Sequence, residues 1–232
     1  MIYIWVKMKN IKQKLLHIIY ASIPYLAYSI LLLLIFGRSL FPSAHQYLFG
    51  WDVLDFHYYN RFFFQNSIRS GVIPWWNPYQ FSGLPFFVGA DGGILFYPLT
   101  WLFAFLPVNM GISWFYFFHI LIAMIGMYIL MRHFFPPLPS WIGGIIFGLT
   151  GYFIPRVLTG TMVNIASASY LPIVFFLFWR AIENVSLRII NRRVMYSSFI
   201  LTLQLLAGAQ RMSYYSLLGL GLTAVVYSLV KK

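Results

Sequence analysis

Only four acidic side chains occur in this chain of 232 residues, and three of them, Asp52, Asp55 and Asp91, fall in one segment between Arg38 and Pro107. The fourth is Glu183. A carboxylate beside lipid is partly desolvated, which raises its basicity and suits it to accept a proton from a substrate hydroxyl. Asp52 and Asp55 share a face if the stretch from Gly50 to Ser70 is helical, and His57, Arg61 and Arg69 follow on it as cationic partners. A structural reading weighs equally: Asp52 as N-cap and Asp55 in the first turn would satisfy free backbone N–H groups. Next comes Pro74-Trp75-Trp76-Asn77-Pro78-Tyr79-Gln80-Phe81-Ser82-Gly83-Leu84-Pro85, whose prolines and glycine predict a rigid irregular loop. Trp75 and Trp76 there are interfacial anchors or, with Asn77, part of a binding surface. Asp91 lies in Gly89-Ala90-Asp91-Gly92-Gly93, where a carboxylate on a turn is either structural or presented to a ligand.

The elements that must position these residues follow from composition. Hydrophobic residues make up 61% of the chain and charged ones 9%, with a mean hydropathy of +0.77. Soluble chains carry about 25% charged residues. Apolar runs near the length of about 20 residues needed to cross a bilayer lie at 15–37, 112–132, 140–156, 168–183, 194–209 and 213–230. The third and fourth are short and carry Gly or Pro, and the last two read as a hairpin broken at Gly208-Ala209-Gln210-Arg211. The reading is an all-α integral membrane protein: a single membrane domain over 1–232, about six transmembrane helices, and a large first outer loop, 38–111. That loop carries a short interfacial helix closed by Gly71.

Lysine and arginine set the direction. A cytoplasmic N-terminus puts Lys7, Lys9, Lys12, Lys14, Arg132, Arg180, Arg188, Arg192, Arg193, Lys231 and Lys232 inside. It leaves only Arg38, Arg61, Arg69, Arg156 and Arg211 outside, which places the aspartate-bearing loop outside the cytosol. Because the basic residues cluster at the ends of apolar runs, the net charge of +12 does not point to nucleic acid. The basic start followed by a long apolar run reads as an uncleaved signal anchor. The absence of cysteine excludes disulfides and thiol chemistry. No metal site follows from spacing, since His45, His57 and the aspartates are scattered, and no cofactor is called for. Within the spans, His119, Asn164 and Gln204 are polar; His119 is expected to bond a neighbouring helix, and Arg180 with Glu183 to form a local ion pair.

The order Gly50-Trp51-Asp52, Ser70-Gly71 through Trp76-Asn77-Pro78-Tyr79 to Pro85, then Ala90-Asp91 and Phe96-Tyr97-Pro98-Leu99 resembles the YfhO-type bacterial membrane proteins. Those belong to the GT-C class of glycosyltransferases, which use polyprenyl-phosphate-linked sugars. Weaker likenesses follow at Gly143–Phe147, at Tyr170-Leu171-Pro172, and at Leu206–Gln210 with Tyr214-Tyr215. Where that family has His-Pro-Gln after the late glycine, this chain has Ala209-Gln210. Family members are longer, so the resemblance is to their N-terminal portion, and it implies a C-terminal half as partner.

The resemblance implies sugar transfer from a polyprenyl-phosphate donor to a cell-envelope glycan, lipid or protein acceptor at the bilayer surface. It gives Asp52 the role of general base, with Asp55 a close second, and Asp91 a supporting or acceptor-side place. His57, Trp75, Trp76 and Asn77 become substrate-binding candidates. Arg61, Arg69, Arg156 and Arg211 become candidates for the leaving phosphate, for which guanidinium is well shaped. For each arginine the competing reading is an interfacial side chain that snorkels. Two other functions compete: a non-catalytic truncated membrane component, and a lipid-linked sugar transporter, which would show paired broken helices.

Overall fold

The computed structural model of the protein describes residues 22–43, 46, 50–87, 95–183 and 187–230, with backbone alone at 187–191. The basic residues Lys7, Lys9, Lys12, Lys14, Lys231 and Lys232, the start of the first apolar run, His45, and Asp91 with its glycine turn lie outside the described residues. So does the side chain of Arg188.

Helix α1 (Ser22–Leu40) buries Tyr28, Leu32, Phe36 and Leu40, one residue per turn, and leaves Ile23, Leu26, Ile30 and Leu34 exposed. That stripe is the helical period written in side chains. A π-helical turn, Val53–His57, then runs into α2 (Tyr58–Arg69). Helix α2 ends as the sequence predicts. Gly71 adopts φ +75°, and N–H groups of Gly71 and Val72 reach back to the carbonyls of Ile68 and Ser67, closing a Schellman motif. The stretch read as irregular contains a small hairpin instead: β1 (Trp76–Asn77) pairs antiparallel with β2 (Leu84–Pro85), Trp76 opposite Pro85. The Tyr79 N–H donates to the Asn77 side-chain oxygen at 3.0 Å, and Phe81, Ser82 and Gly83 take positive φ to turn the chain. A 3-10 turn (Pro98–Trp101) and α3 (Leu102–Phe105) lead to the bundle.

The bundle is built on α4 (Val108–Arg132), against which α5 (Pro137–Leu149), α7 (Met162–Ser169) and α8 (Leu171–Ile182) pack; α6 (Phe153–Thr159) lies between α5 and α7, and α9 (Leu187–Leu206) and α10 (Gln210–Val230) pack on α7 and α8. Among the described residues, five helical segments have the length and apolar composition to cross a membrane: Ser22–Leu40, Val108–Arg132, Pro137–Thr159, Met162–Ile182 and Gln210–Val230. The chain thus has the make-up of an all-α, multi-pass membrane protein. Two of the five are interrupted, at Thr150–Tyr152 between α5 and α6 and at Tyr170 between α7 and α8. The expected span at 194–209 falls outside the five. Its helix, α9, starts at Leu187, carries Arg192 and Arg193 early, and stops at Leu206.

Lipid tails are as apolar as leucine, so helices in a bilayer associate through close packing at small residues rather than through the hydrophobic effect. A Cβ on Gly144 would meet the Tyr28 hydroxyl and the Met124 carbonyl, and one on Gly126 would stand 2.7 Å from Ile173 Cγ1. Tyr28 also donates to the Trp141 carbonyl at 2.8 Å and stacks on its indole, locking α1 to α5. The large apolar side chains left outside, such as Leu34 and Val230, would be an aggregation surface in water and suit lipid contact.

Candidate functional site

The carboxylate segment does not cap its helix. Asp52 already has helical φ −64° and ψ −27°, and its side chain makes no capping hydrogen bond. Asp52 and Asp55 are both exposed. They are joined by the π turn, which underwinds the backbone and turns Asp55 away from the place a regular α-helix would give it; such turns recur at functional sites. Asp55 lines a cavity of about 590 Å3 with Leu54, Tyr58 and Tyr59.

What holds this segment is a backbone contact between two glycines. A Cβ on Gly50 would lie 2.6 Å from Gly160 Cα, and one on Gly160 would lie 2.7 Å from the Val53 nitrogen. Gly160, at φ +87°, closes α6, and its N–H bonds the Arg156 carbonyl one turn back at 2.9 Å. The carboxylates are therefore seated on the α6–α7 elbow. Arg156 lies on that elbow with its guanidinium 3.5 Å from the Tyr152 ring centroid. Arg211, on the first turn of α10, donates to the Asn164 side-chain oxygen at 2.8 Å. Both guanidiniums lie within electrostatic range of the Tyr152 hydroxyl, which touches the Met212 sulfur at 3.5 Å. Two arginines far apart in sequence thus converge around one phenol.

The other candidates are placed differently. Arg61 is 2% exposed, with its guanidinium carbon 5.3 Å from the Phe103 ring centroid and 5.8 Å from that of Phe115. It is an internal cation in an aromatic box, not a group at an open surface. His57 is buried against Phe56. Arg69 donates to the carbonyls of Ala104 and Phe105, and Gln65 to those of Phe103 and Leu106, so these side chains cap the C-terminus of α3. Trp75 packs beside Phe87 and Phe96, and Trp76 lies over Gly83, where a Cβ would strike the indole at 2.7 Å; both remain about half exposed. Asn77 is buried and shapes the hairpin turn. Among the described residues no group of three His, Asp or Glu side chains comes together.

Sequence reasoning did not single out a larger cavity, about 770 Å3, between α2 and the hairpin. Tyr59, Asn60, Phe63, Asn66, Tyr79 and Gln80 are among its walls. The available signal was the recurrence of Asn and Ser among the aromatics of α2. His119 bonds the outer loop rather than another long helix. Its Nδ1 sits 2.6 Å from the Phe115 carbonyl and so carries the proton, which leaves Nε2 to accept from the Tyr97 hydroxyl at 2.5 Å. Tyr97 in turn accepts from Tyr170 at 2.7 Å. Burial and then Tyr170 push the Tyr97 hydroxyl above the ordinary phenol range, so it stays a donor. At the opposite end of the bundle, Glu183 accepts from His133 Nε2 at 2.9 Å and Trp179 Nε1 at 2.7 Å. Burial opposes its charge, but these bonds and the nearby Arg180 outweigh it and hold the carboxyl below its usual value. Comparison with protein-family models, curated proteins and solved structures finds no match to this chain.

Proposed function

We propose that the protein is a YfhO-type, GT-C-class membrane glycosyltransferase. It moves a sugar from a polyprenyl-phosphate-linked donor to a cell-envelope acceptor, with the aspartate-bearing loop outside the cytosol. The observation that carries this reading is that the segment bearing the exposed Asp52 and Asp55 packs, through the Gly50–Gly160 contact, on the α6–α7 elbow, where Arg156 lies on α6 and Arg211 bonds Asn164 of α7. A carboxylate and a pair of guanidiniums are what glycosyl transfer from a lipid phosphate requires. The carboxylate of Asp52 takes the proton of the acceptor hydroxyl. The hydroxyl oxygen bonds the anomeric carbon while the bond from that carbon to the phosphate oxygen breaks. The phosphate leaves with the electron pair, its charge met by Arg156 and Arg211. Asp55, on the wall of the neighbouring cavity, orients the acceptor. Support for the orientation comes from charge: Arg132, Arg180 and Arg193 gather at the end of the bundle opposite the carboxylates, around Glu183.

The test is sugar transfer in membranes holding the protein in its natural form, with D52N and D55N made separately. Loss of a general base lowers transfer by about 10²–10⁴-fold with membrane insertion unchanged. Full transfer by both variants would overturn the catalytic assignment. A second reading, movement of a lipid-linked sugar without bond cleavage, draws support from the two consecutive interrupted spans, since discontinuous helices line transport sites. It predicts no release of polyprenyl phosphate.

A further inference from the structure

The cavity between α2 and the hairpin has the chemistry of a sugar site. Its volume of about 770 Å3 falls in the range of small-ligand pockets, about 300–1,000 Å3. Tyr59 and Phe62 from α2 and Tyr79 from the hairpin present rings that are 62%, 48% and 82% exposed. Between them stand the amides of Asn60, Asn66 and Gln80. Among the described residues, no Asp, Glu, Lys, Arg or His side chain lines this cavity. A sugar ring offers an apolar C–H face, which lies on an aromatic ring, and a rim of hydroxyls, which amides and serines can bond. An anion would find no partner there. An acyl chain would leave the amides unsatisfied.

Two further features give direction and rigidity. Tyr59 lines both this cavity and the one that Asp55 lines, so the two lie side by side along α2. Tyr79 is held at the rim by the Asn77 turn and by Phe81 and Ser82, which take φ +51° and +61°, a conformation that non-glycine residues rarely adopt. Its ring packs edge-on to Phe63, 5.8 Å between centroids.

We infer that this groove binds an uncharged saccharide, with the end nearest Asp55 carrying the hydroxyl that reacts. Its role as the acceptor site rests on the glycosyltransferase reading; the binding itself does not.

The test uses the protein in lipid nanodiscs, free of sugar-headed detergent. Three soluble trisaccharides, of glucose, galactose and mannose, serve as probes, with binding read by saturation-transfer NMR. At least one trisaccharide receives saturation from the wild type, and Y79A and N66A, both changes at exposed positions, weaken it about tenfold. A glycerol-phosphate trimer does not compete. The inference fails if no trisaccharide binds, if binding is unchanged in both variants, or if decanoate displaces the sugar and marks the groove as a lipid surface. Binding that survives while the wild type transfers no sugar would defeat the glycosyltransferase reading and leave the groove standing. Transfer that is unaffected by Y79A and N66A while they weaken binding would defeat the acceptor role and leave the glycosyltransferase reading standing.

Discussion

Placing a methyl group between Gly50 and Gly160 tests whether the seating of the carboxylates on the α6–α7 elbow matters. A Cβ at Gly160 would be 2.7 Å from the Val53 nitrogen, 0.7 Å short of the 3.4 Å at which ordinary contact begins. Both sides of that contact are backbone, so no flexible side chain can give way. The φ of +87° adds about 1–2 kcal/mol for an L side chain. Gly50→Ala approaches the same gap from the other side, 2.6 Å from Gly160 Cα, without a positive φ. The pair of variants separates steric displacement from backbone strain. A shift approaching 1 Å at a reacting group costs about 10²-fold in rate. Both variants should therefore lower kcat/KM for transfer by about 10²-fold while inserting normally, both should lose thermal stability, and Gly160→Ala should lose more because of its positive φ. Wild-type transfer by both, with unchanged stability, would refute the claim that this contact positions the carboxylates.

Other perturbations follow from the same geometry. Arg156→Ala with Arg211→Ala should weaken use of the lipid-phosphate donor more than either single change, and Lys at either position should restore little, because guanidinium binds phosphate in a forked geometry that ammonium lacks. Donor titration of the four variants reads this. Tyr97→Phe removes the donor to His119 and the acceptor for Tyr170, leaving two buried groups unpaired at about 1–3 kcal/mol each, measurable by unfolding in mixed micelles. The lowered value of Glu183 means its contribution to stability is present above the ordinary carboxylate range. That contribution is lost as pH falls through the depressed folded-state value. Thermal unfolding against pH should show this acid-side loss in the wild type, and Glu183→Gln should flatten it.

Much of this architecture could be read from the residues. The α1 stripe, the stop of α2 at Gly71, the interruptions near Gly151 and Pro172, and the break at Gly208 each have a local cause that one sequence states. Features fixed by distant partners could not be read. Asp52 and Asp55 suggested a capping arrangement, but Gly160, more than a hundred residues on, seats the segment and a π turn replaces the regular start. Arg61 and Arg69 read as surface cations. One is instead enclosed by Phe103 and Phe115, and the other spends its donors on the end of α3. The hairpin has two residues per strand, too few for a period-2 pattern, and depends on the Asn77 turn and on Phe86 packing against Phe63. The helix α9 shows composition overruling length: 20 residues suffice for a span, and its arginines remove it from the apolar set.

The most direct measurement follows both products of the proposed reaction in one experiment. Membranes holding the protein are given a polyprenyl-phosphate donor carrying a radiolabelled sugar, and free polyprenyl phosphate and label in the acceptor fraction are counted together. Glycosyl transfer by these carboxylates predicts that both rise in equal amounts with the wild type and that D52N made together with D55N produces neither. Label that crosses the membrane still attached to the lipid, or equal release by the double variant, would contradict it.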